Sequence, residues 1–283
     1  MQTGFERIDL SVEDVFKPAQ YDFGHVVRPV AISSEEEMVN QGDAAVLSIL
    51  ESRVMMTANA LKREFVKQIV KGEQTGWEDW NTLNGLDVTT GNHQGFLEDL
   101  AVGAQVNSVG GVDKGDYQDK TGWQNQAFDG AGSFNANGLA GLYDLMVEIN
   151  AVSPSGAPNV ILASRAGFKN LKRALSAHER YVDQSQIDGG RMVEMFQGIP
   201  INVEYNMPNA GGASGTTADP ISFYFLNMND IHCLWDPKGY FDLSDFETVS
   251  GEYDVRSAKM RCRGQLIAKH LGSSGVAFDL DTF

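Results

Sequence analysis

The stretch SEEEMVNQGDAAVLSILESRVMMTANALKREFVKQIVK, residues 34 to 71, decides the fold of this 283-residue chain. We predict a short helix, a break at Gly42 and one long helix from about residue 43 to residue 71. Such a helix rises roughly 40 Å at 1.5 Å per residue, more than twice the length of an average helix in a globular protein. It should therefore lie along a domain as a spine.

Apolar residues at steps of three and four form one stripe along this helix. The stripe is predicted to face the core through Val46, Leu50, Val54, Leu61, Phe65 and Ile69, with Ile49 and Ala58 beside them. Ser34 and Glu37 have the spacing of a capping box at the first helix. Gly72 is placed where a glycine ends a helix. The end signals and the stripe thus predict the same two helices.

The first 33 residues contain two short β-like pieces, at residues 7–10 and 25–32, separated by a polar stretch with Pro18. Their apolar residues are too few to build a core of their own, so the segment is predicted to be an arm or hairpin that packs on another subunit. The candidate inter-subunit contact residues are Phe5, Val15, Phe16, Tyr21, Phe23 and Val27.

Composition limits the possible classes of protein. A length of 283 residues is enough for one large domain or two modest ones. Hydrophobic residues make up 42% and charged residues 21% of the chain, which is ordinary for a protein with a hydrophobic core. The net charge is −16, and the basic clusters at residues 62–67 and 256–263 are mixed with apolar residues. We interpret these clusters as solvated or subunit-contacting faces, not as a track for nucleic-acid phosphates. We expect no membrane span and no signal peptide. The two cysteines fit free thiols of a cytosolic product, and a disulfide between them stays open.

The rest of the chain predicts an α+β fold. Residues 72–122 are rich in turn residues and predict a loop-rich subdomain. A helix is predicted at 139–152, followed by a compact α/β block. Its strands are predicted at 160–164, 194–205, 221–228 and 231–235, with a helix at 165–180 and a flexible loop tip at 209–220. The strands at 221–228 and 231–235 are expected to be buried and joined by a tight turn. Residues 253–277 predict one long strand and one short strand.

Catalytic motifs are nearly absent. The stretch GDYQDKT at 115–121 is the nearest match to a phosphate-binding loop, but Asp119 stands where a glycine is needed and would repel phosphate. The five histidines have no metal-ligand spacing. We therefore predict no catalytic, metal-binding or cofactor-binding residues, although a pair of carboxylates brought together by the fold stays open.

Several blocks of the sequence occur in an order and spacing that point to one family. They are DVFKPAQYDFGHVVRPVAIS at 14–33, EEEMVNQGDAAVLSILESRV at 35–54, LNGL at 83–86, VGGVDKGDYQDKTGWQNQ at 109–126, PNVILASRAGFKNLKRAL at 158–175, FQGIPINVEYNMP at 196–208, FYFLNMNDIHCLW at 223–235 and MRCRGQLIAKH at 260–270. Together they resemble the major capsid proteins of tailed double-stranded DNA bacteriophages, which have the Hong Kong ninety-seven fold.

The resemblance implies an α+β fold with a long spine helix, a peripheral domain, an axial domain and an E-loop. On this basis residues 1–33 are the E-loop or N-terminal extension, residues 34–135 and 238–272 the peripheral domain, residues 136–237 the axial domain and residues 273–283 a C-terminal tail. In related sequences further chain precedes the segment that resembles residues 4–33. Here the chain begins at Met1, so a shortened arm, a removed leader or a particular product of the gene is expected.

The resemblance also implies a function. Many copies of the chain would assemble into the pentamers and hexamers of an icosahedral head that encloses double-stranded DNA without reading its sequence. The portal protein, and scaffolding or decoration proteins, would be partners, and the virion, assembled in the host cytoplasm, would be the location. The protein would be neither an enzyme nor a membrane protein. Two alternatives stay open: an encapsulin-type shell of a cellular nanocompartment, and an enzyme with an α/β domain.

Overall fold

The computed structural model describes residues 18–39, 49–72, 74–85, 94–97, 108–114, 123–131, 133–176, 184–187, 191–207, 221–248, 254–280 and 282–283. The helices are α1 (Ser34–Val39), α2 (Ile49–Val70), α3 (Leu139–Val152) and α4 (Arg165–Ser176), with a π-helical turn at Phe134–Gly138 before α3. The strands are β1 (Gly24–Ser33), β2 (Thr82–Asn84), β3 (Gly95–Leu97), β4 (Ser108–Val109), β5 (Val112–Asp113), β6 (Gln126–Asp129), β7 (Val160–Ala163), β8 (Gln184–Ile187), β9 (Arg191–Phe196), β10 (Ile199–Val203), β11 (Ile221–Leu226), β12 (Ile231–Trp235), β13 (Asp242–Leu243), β14 (Glu247–Thr248), β15 (Val255–Ala268) and β16 (Gly275–Phe278).

The spine helix is α2. Its described part begins at Ile49, and the predicted residues 43–48 and the break at Gly42 lie outside the described residues. Gly72 ends the helix as predicted: its φ is +80°, and its N–H donates to the carbonyl oxygens of Lys67 and Gln68 at 3.3 and 3.0 Å. The capping arrangement at α1 lies one residue earlier than predicted, because the Ser33 N–H donates to the Glu36 carboxylate at 3.2 Å.

A substitution at Gly72 tests this helix end. A residue with a Cβ is strained at a positive φ, so Gly72→Ala should lower the free energy of unfolding by about 1 kcal/mol. Gly156→Ala is the control of the same type, since Gly156 also has a positive φ and is exposed, but lies in a loop. Thermal unfolding of both variants measures the two costs. If the α-helical circular dichroism signal decreases in Gly72→Ala and not in Gly156→Ala, the effect of the Gly72 substitution lies in the spine helix. Equal spectra of the two variants would contradict this role of Gly72.

A five-stranded sheet lies under the spine. Strand β15 is its centre: β1 pairs with one edge, and β12, β13 and β14 pair with the other, all antiparallel. Side chains at alternate positions of β1 and β15 point towards α2 because successive residues of a strand face opposite sides. Leu61 of α2 is buried there in one cluster. Its other buried members are Val26, Trp77, Trp80, Met260 and Cys262.

This pairing corrects the expectation for residues before Ser34. Residues 24–33 pair with residues 255–264 of the same chain over their whole length. Val26, Val30 and Ile32 are buried in the chain's own core. The buried apolar residues of the strand occupy alternate positions, so they lie on one face of the sheet. Strand β15 pairs with β1, and α2 covers that apolar face. The described part of the segment is therefore a core strand and not a free arm.

A seven-stranded mixed sheet forms the second unit, in the order β6-β16-β11-β7-β10-β9-β8. Helices α3 and α4 cover one face through a cluster that includes Leu145, Leu171 and Phe223. The other face packs against the end of the spine and against the small sheets β2-β3 and β4-β5. The residues buried in this second cluster include Val70, Phe96 and Tyr224. Strand β11 is buried at every position, as expected for a strand covered on both faces.

Three strands lie in a different sheet from the one that the predicted domain ranges imply. Strand β12, placed in the axial range, pairs with β15 in the five-stranded sheet, so β11 and β12 do not form a hairpin. Strand β16, placed in the tail, pairs with β11 and β6 in the seven-stranded sheet, and β6 had been placed in the peripheral range. The reason is that these pairings join residues far apart in sequence.

The predicted helix at 139–152 is confirmed, and the loop tip at 209–220 lies outside the described residues.

Candidate subunit-contact surfaces

One face of the five-stranded sheet is packed against α2, and the side chains of β1 and β15 on the other face are exposed to solvent. We call the second face the open sheet face. It presents His25, Val27 and Pro29 of β1 opposite Arg263, Arg261 and Lys259 of β15, all of them exposed. Phe23, just before β1, is 49% exposed and Val27 is 39% exposed. A row of three basic residues thus lies beside apolar side chains.

The basic row is a local exception in an acidic chain. The Arg263 guanidinium lies 3.2 Å from the Asp236 carboxylate and 5.5 Å from the centre of the Phe23 ring, which holds Phe23 against the sheet. Lys259 and Arg261 alternate along the same strand and extend the positive charge, which the exposed Asp242 of β13, the cross-strand partner of Arg261, offsets in part. Like charges on one strand face repel each other, so this surface favours an acidic or apolar partner.

The other candidate contact residues are divided between the core and the undescribed part. Phe5, Val15 and Phe16 lie outside the described residues. The Tyr21 hydroxyl donates to the Ala268 carbonyl oxygen at 2.8 Å, and its ring packs edge-on to Phe96. Burial raises the pKa of Tyr21 to about 12. Tyr21 therefore anchors the segment to its own subunit, while Phe23 and Val27 are available to a neighbour.

The predicted core residues of the spine also occupy different environments. Leu61 is fully buried, and Val54 and Phe65 pack partly buried in the same cluster. Ile69 packs against the cluster of the other unit. Leu50 is exposed, because it lies in the first described turn of α2, before the part of the helix that packs on the sheet. Val46 lies outside the described residues.

The outer face of α2 carries apolar residues that the sequence stripe missed. Met55, Met56 and Val66 are exposed, Met56 at 70%. They lie off the apolar stripe that faces the sheet. Apolar residues off that stripe were the sequence signal that could have indicated this surface. Exposed Asn59, Lys62 and Arg63 lie between the two methionines and Val66, so this face combines apolar and polar groups and is a candidate contact surface. Methionine suits such a contact because its unbranched side chain adapts to irregular partners.

A charged clamp fixes the approach to this helix. The Arg53 guanidinium of α2 donates to the Glu36 carboxylate of α1 at 2.5 Å and to the Ala31 carbonyl oxygen of β1 at 2.6 Å. The Ser33 N–H and Arg53 together hold the pKa of Glu36 below its usual value. The clamp therefore fastens β1, α1 and α2 to one another and sets the direction in which the chain enters the spine.

A cavity of about 720 Å³ lies where β7 and β10 end beside α4. Its lining includes Ser164, Lys169, Glu204 and Tyr205. The Ser164 hydroxyl accepts the Gly167 N–H at 3.1 Å and so caps α4, and Glu204 accepts both the N–H and the side-chain amide of Asn206. Ser164 and Glu204 thus have structural partners. Within the described residues, no group of three or more histidine, cysteine, aspartate or glutamate side chains could hold a metal ion.

The two cysteines lie near the cluster beneath the spine. Cys262 is buried and Cys233 is half-buried, and both are free thiols. Burial raises the pKa of Cys233 to about 11. Burial and the nearby Cys233 thiol raise the pKa of Cys262 to about 12. Both thiols therefore stay protonated and unreactive at neutral pH, as structural core cysteines do.

None of the described helices is long and apolar enough to cross a membrane.

Comparison with known proteins gives structural matches. No family model and no curated protein matches the sequence. The holo-SrpI encapsulin complex from Synechococcus elongatus PCC 7942 matches with a TM-score of 0.58 and 11% identity, over 92% of this chain and 74% of that one. The capsid of Myoviridae phage XM1 matches with a TM-score of 0.55 and 10% identity, over 92% and 74%. The capsid of a native GTA particle matches with a TM-score of 0.54 and 13% identity, over 99% and 81%.

These likenesses extend over nearly the whole chain and identify its architecture. The protein has an α+β structure of the Hong Kong ninety-seven type, the fold of capsid and encapsulin shells. The resemblance drawn from the sequence blocks is thus confirmed for the fold. These three matched structures are shells, and they include both capsids and an encapsulin.

Proposed function

We propose that this chain is the major capsid protein of a tailed double-stranded DNA bacteriophage. Many copies assemble through pentamers and hexamers into an icosahedral head that encloses packaged DNA. The observation that carries the proposal is a fold shared with shell-forming proteins over at least 92% of the chain, in the matches to the encapsulin, the XM1 capsid and the GTA capsid. A subunit with this role acts through its surfaces and needs no catalytic centre.

The surfaces of the subunit support the same role. A closed shell requires one chain to make several different contacts, because neighbours around five-fold and six-fold axes meet unlike faces. The open sheet face and the outer face of α2 are two such surfaces, one basic and one rich in methionine. We propose that a neighbouring copy covers both, with Phe23 and Val27 in the first contact. The net charge of −16 keeps the protein from adhering to the packaged DNA.

Strand pairing supports a revised division into domains. We propose a peripheral domain built on the five-stranded sheet, from residues 18–114 and 231–268, and an axial domain built on the seven-stranded sheet, from residues 123–226 and 271–283. The spine belongs to the first and reaches the second through Ile69 and Val70. The predicted E-loop role of residues 1–33 is kept for the surface of Phe23 and Val27 and for the segment before residue 18.

The head so formed has further partners. A portal protein at one vertex, and scaffolding or decoration proteins, would contact the shell, which would assemble in the host cytoplasm and remain in the virion. One alternative keeps the fold and changes the contents: an encapsulin-type shell that encloses enzymes. The match to the encapsulin of Synechococcus elongatus PCC 7942, with a TM-score of 0.58, favours it.

Negative-stain electron microscopy of the purified full chain, together with its elution volume, tests the proposal. Hollow shells, or rings of five and six, are expected. A monomer or dimer that stays small when the neighbouring genes of its source are co-produced would overturn the proposal. The contents of native particles separate the two shells: DNA extracted from the particles supports the phage head, and protein cargo without DNA supports the encapsulin-type shell.

A further inference from the structure

Helix α3 has more apolar surface than its own subunit covers. Its inner side is buried against the seven-stranded sheet through Leu142, Leu145, Met146 and Ile149. Ala140, Tyr143, Val147 and Ala151 form a second apolar stripe on the outside at steps of three and four. Val147 is 67% exposed, and Tyr143, whose ring centre lies 4.9 Å from that of Phe196 in the same subunit, is 42% exposed. A helix that is apolar on nearly all sides is normally buried on nearly all sides. The outer stripe is therefore incomplete without a partner.

Acidic residues flank this stripe. Asp144 and Glu148 are exposed and four residues apart, so their carboxylates are neighbours on the helix surface and repel each other. Neither makes a hydrogen bond or an ion pair with any other described residue. A partner that supplies positive charge at the same spacing would relieve this repulsion.

Helix α4 supplies that charge at that spacing. Arg165, Lys169 and Arg173 follow one another at steps of four residues and line the cavity of about 720 Å³. All three are exposed, and the Arg173 guanidinium lies 5.8 Å from the centre of the Phe283 ring. At 1.5 Å per residue, both the acidic pair and each basic step span about 6 Å along their helices. Tyr205, 78% exposed, stands at the same cavity.

We infer that the outer face of α3 in one copy of this chain docks against α4 and its cavity in the next copy. The inference rests on the proposed function and names a contact within the shell. Glu148 pairs with Lys169 and Asp144 pairs with a neighbouring basic residue of α4, while Tyr143 and Val147 cover the cavity beside Tyr205. The cavity accommodates these side chains because it is larger than either.

Charge limits the symmetry of this contact. An arrangement that places α3 against α3, or α4 against α4, opposes like charges. Two arrangements join the unlike faces: a two-fold pair with two reciprocal α3–α4 contacts, and a head-to-tail arrangement that closes into a ring when it is repeated around an axis. The proposed function requires rings of five and six, so we assign the contact to the head-to-tail arrangement.

Charge reversal in the full chain tests the inference. Glu148→Lys and Lys169→Glu should each reduce the yield of rings and shells at least tenfold, measured by sedimentation and electron microscopy. The double variant should restore the yield to within threefold of the wild type, since the pair is re-formed with its signs exchanged. Both positions are exposed, so the thermal unfolding of the variants should match that of the wild type. Asp245→Lys and Lys238→Glu, exposed on another part of the surface, are the matched controls.

The outcomes separate this inference from the proposed function. A wild-type chain that never assembles contradicts the proposed function. A wild-type chain that assembles while both single variants assemble equally well overturns the docking of α3 on α4. So does a double variant that is no better than either single one. Loss of DNA from Lys169→Glu particles of normal yield would assign the basic row to nucleic acid instead, and would also overturn the contact.

Discussion

Replacing Leu61 by aspartate is expected to abolish the soluble, folded subunit. Leu61 is completely buried between α2 and the five-stranded sheet, packed with Trp77, Trp80 and Met260. The change should cost at least about 4 kcal/mol of unfolding free energy, because it removes a buried leucine and places an unpaired charge in an apolar site. Soluble yield and the thermal unfolding of any soluble fraction measure the loss.

Leu50→Asp is the matched control, since the same substitution falls on the same helix at an exposed position. It should change the unfolding free energy by no more than about 0.5 kcal/mol. If Leu61→Asp folds and assembles normally, the stripe of α2 faces solvent and the packing of the spine is wrong. If Leu50→Asp folds normally and fails to assemble, the first turn of the spine belongs to a subunit contact.

Replacing Gln265 by leucine is expected to have the second large effect. Its buried side-chain amide donates to the carbonyl oxygens of Asp22 and Asp79 at 2.7 and 2.9 Å. Its side-chain oxygen accepts the N–H groups of Asn81 and Leu266 at 2.8 and 3.0 Å. Leucine would remove the partner of the buried N–H groups of Asn81 and Leu266 and of the part-buried carbonyl groups of Asp22 and Asp79, at a total cost of about 3 kcal/mol in unfolding free energy.

Gln20→Leu is the control for this change. Gln20 is exposed, and its one contact of note, from its backbone N–H to the Gly110 carbonyl oxygen at 2.9 Å, does not involve the side chain. Chemical denaturation should therefore give nearly the wild-type unfolding free energy. Equal stability of Gln265→Leu and the wild type would show that the amide does not link β15 to the N-terminal segment and the loop after the spine.

Local signals in the sequence predicted the elements whose causes are local. Gly72 ends α2 because a left-handed residue is needed there, and the periodic apolar residues of α3 lie on one helix. The short strand at Val160–Ala163 and the helix at Arg165–Ser176 follow equally from residues close together in sequence. In each case the residues that determine the element are within a few positions of it.

The errors have causes that are distant in sequence. Strand β1 was interpreted as an arm because its partner, β15, is more than 200 residues away. The parallel pairing of β6 with β16 joins residues 126–129 to residues 275–278, which no local pattern indicates.

The central position of β15 has a consequence for biosynthesis. Gly24 pairs with Gly264 and Ser33 with Val255, so β1 has no partner strand until more than 200 further residues have been translated. The spine helix is made early, but its sheet is completed last, and pairings between such distant segments form slowly. A nascent chain must therefore keep Val26, Val30 and Ile32 away from other nascent chains while it waits. Late completion of the sheet thus prolongs the time in which unfinished subunits can associate through these apolar residues.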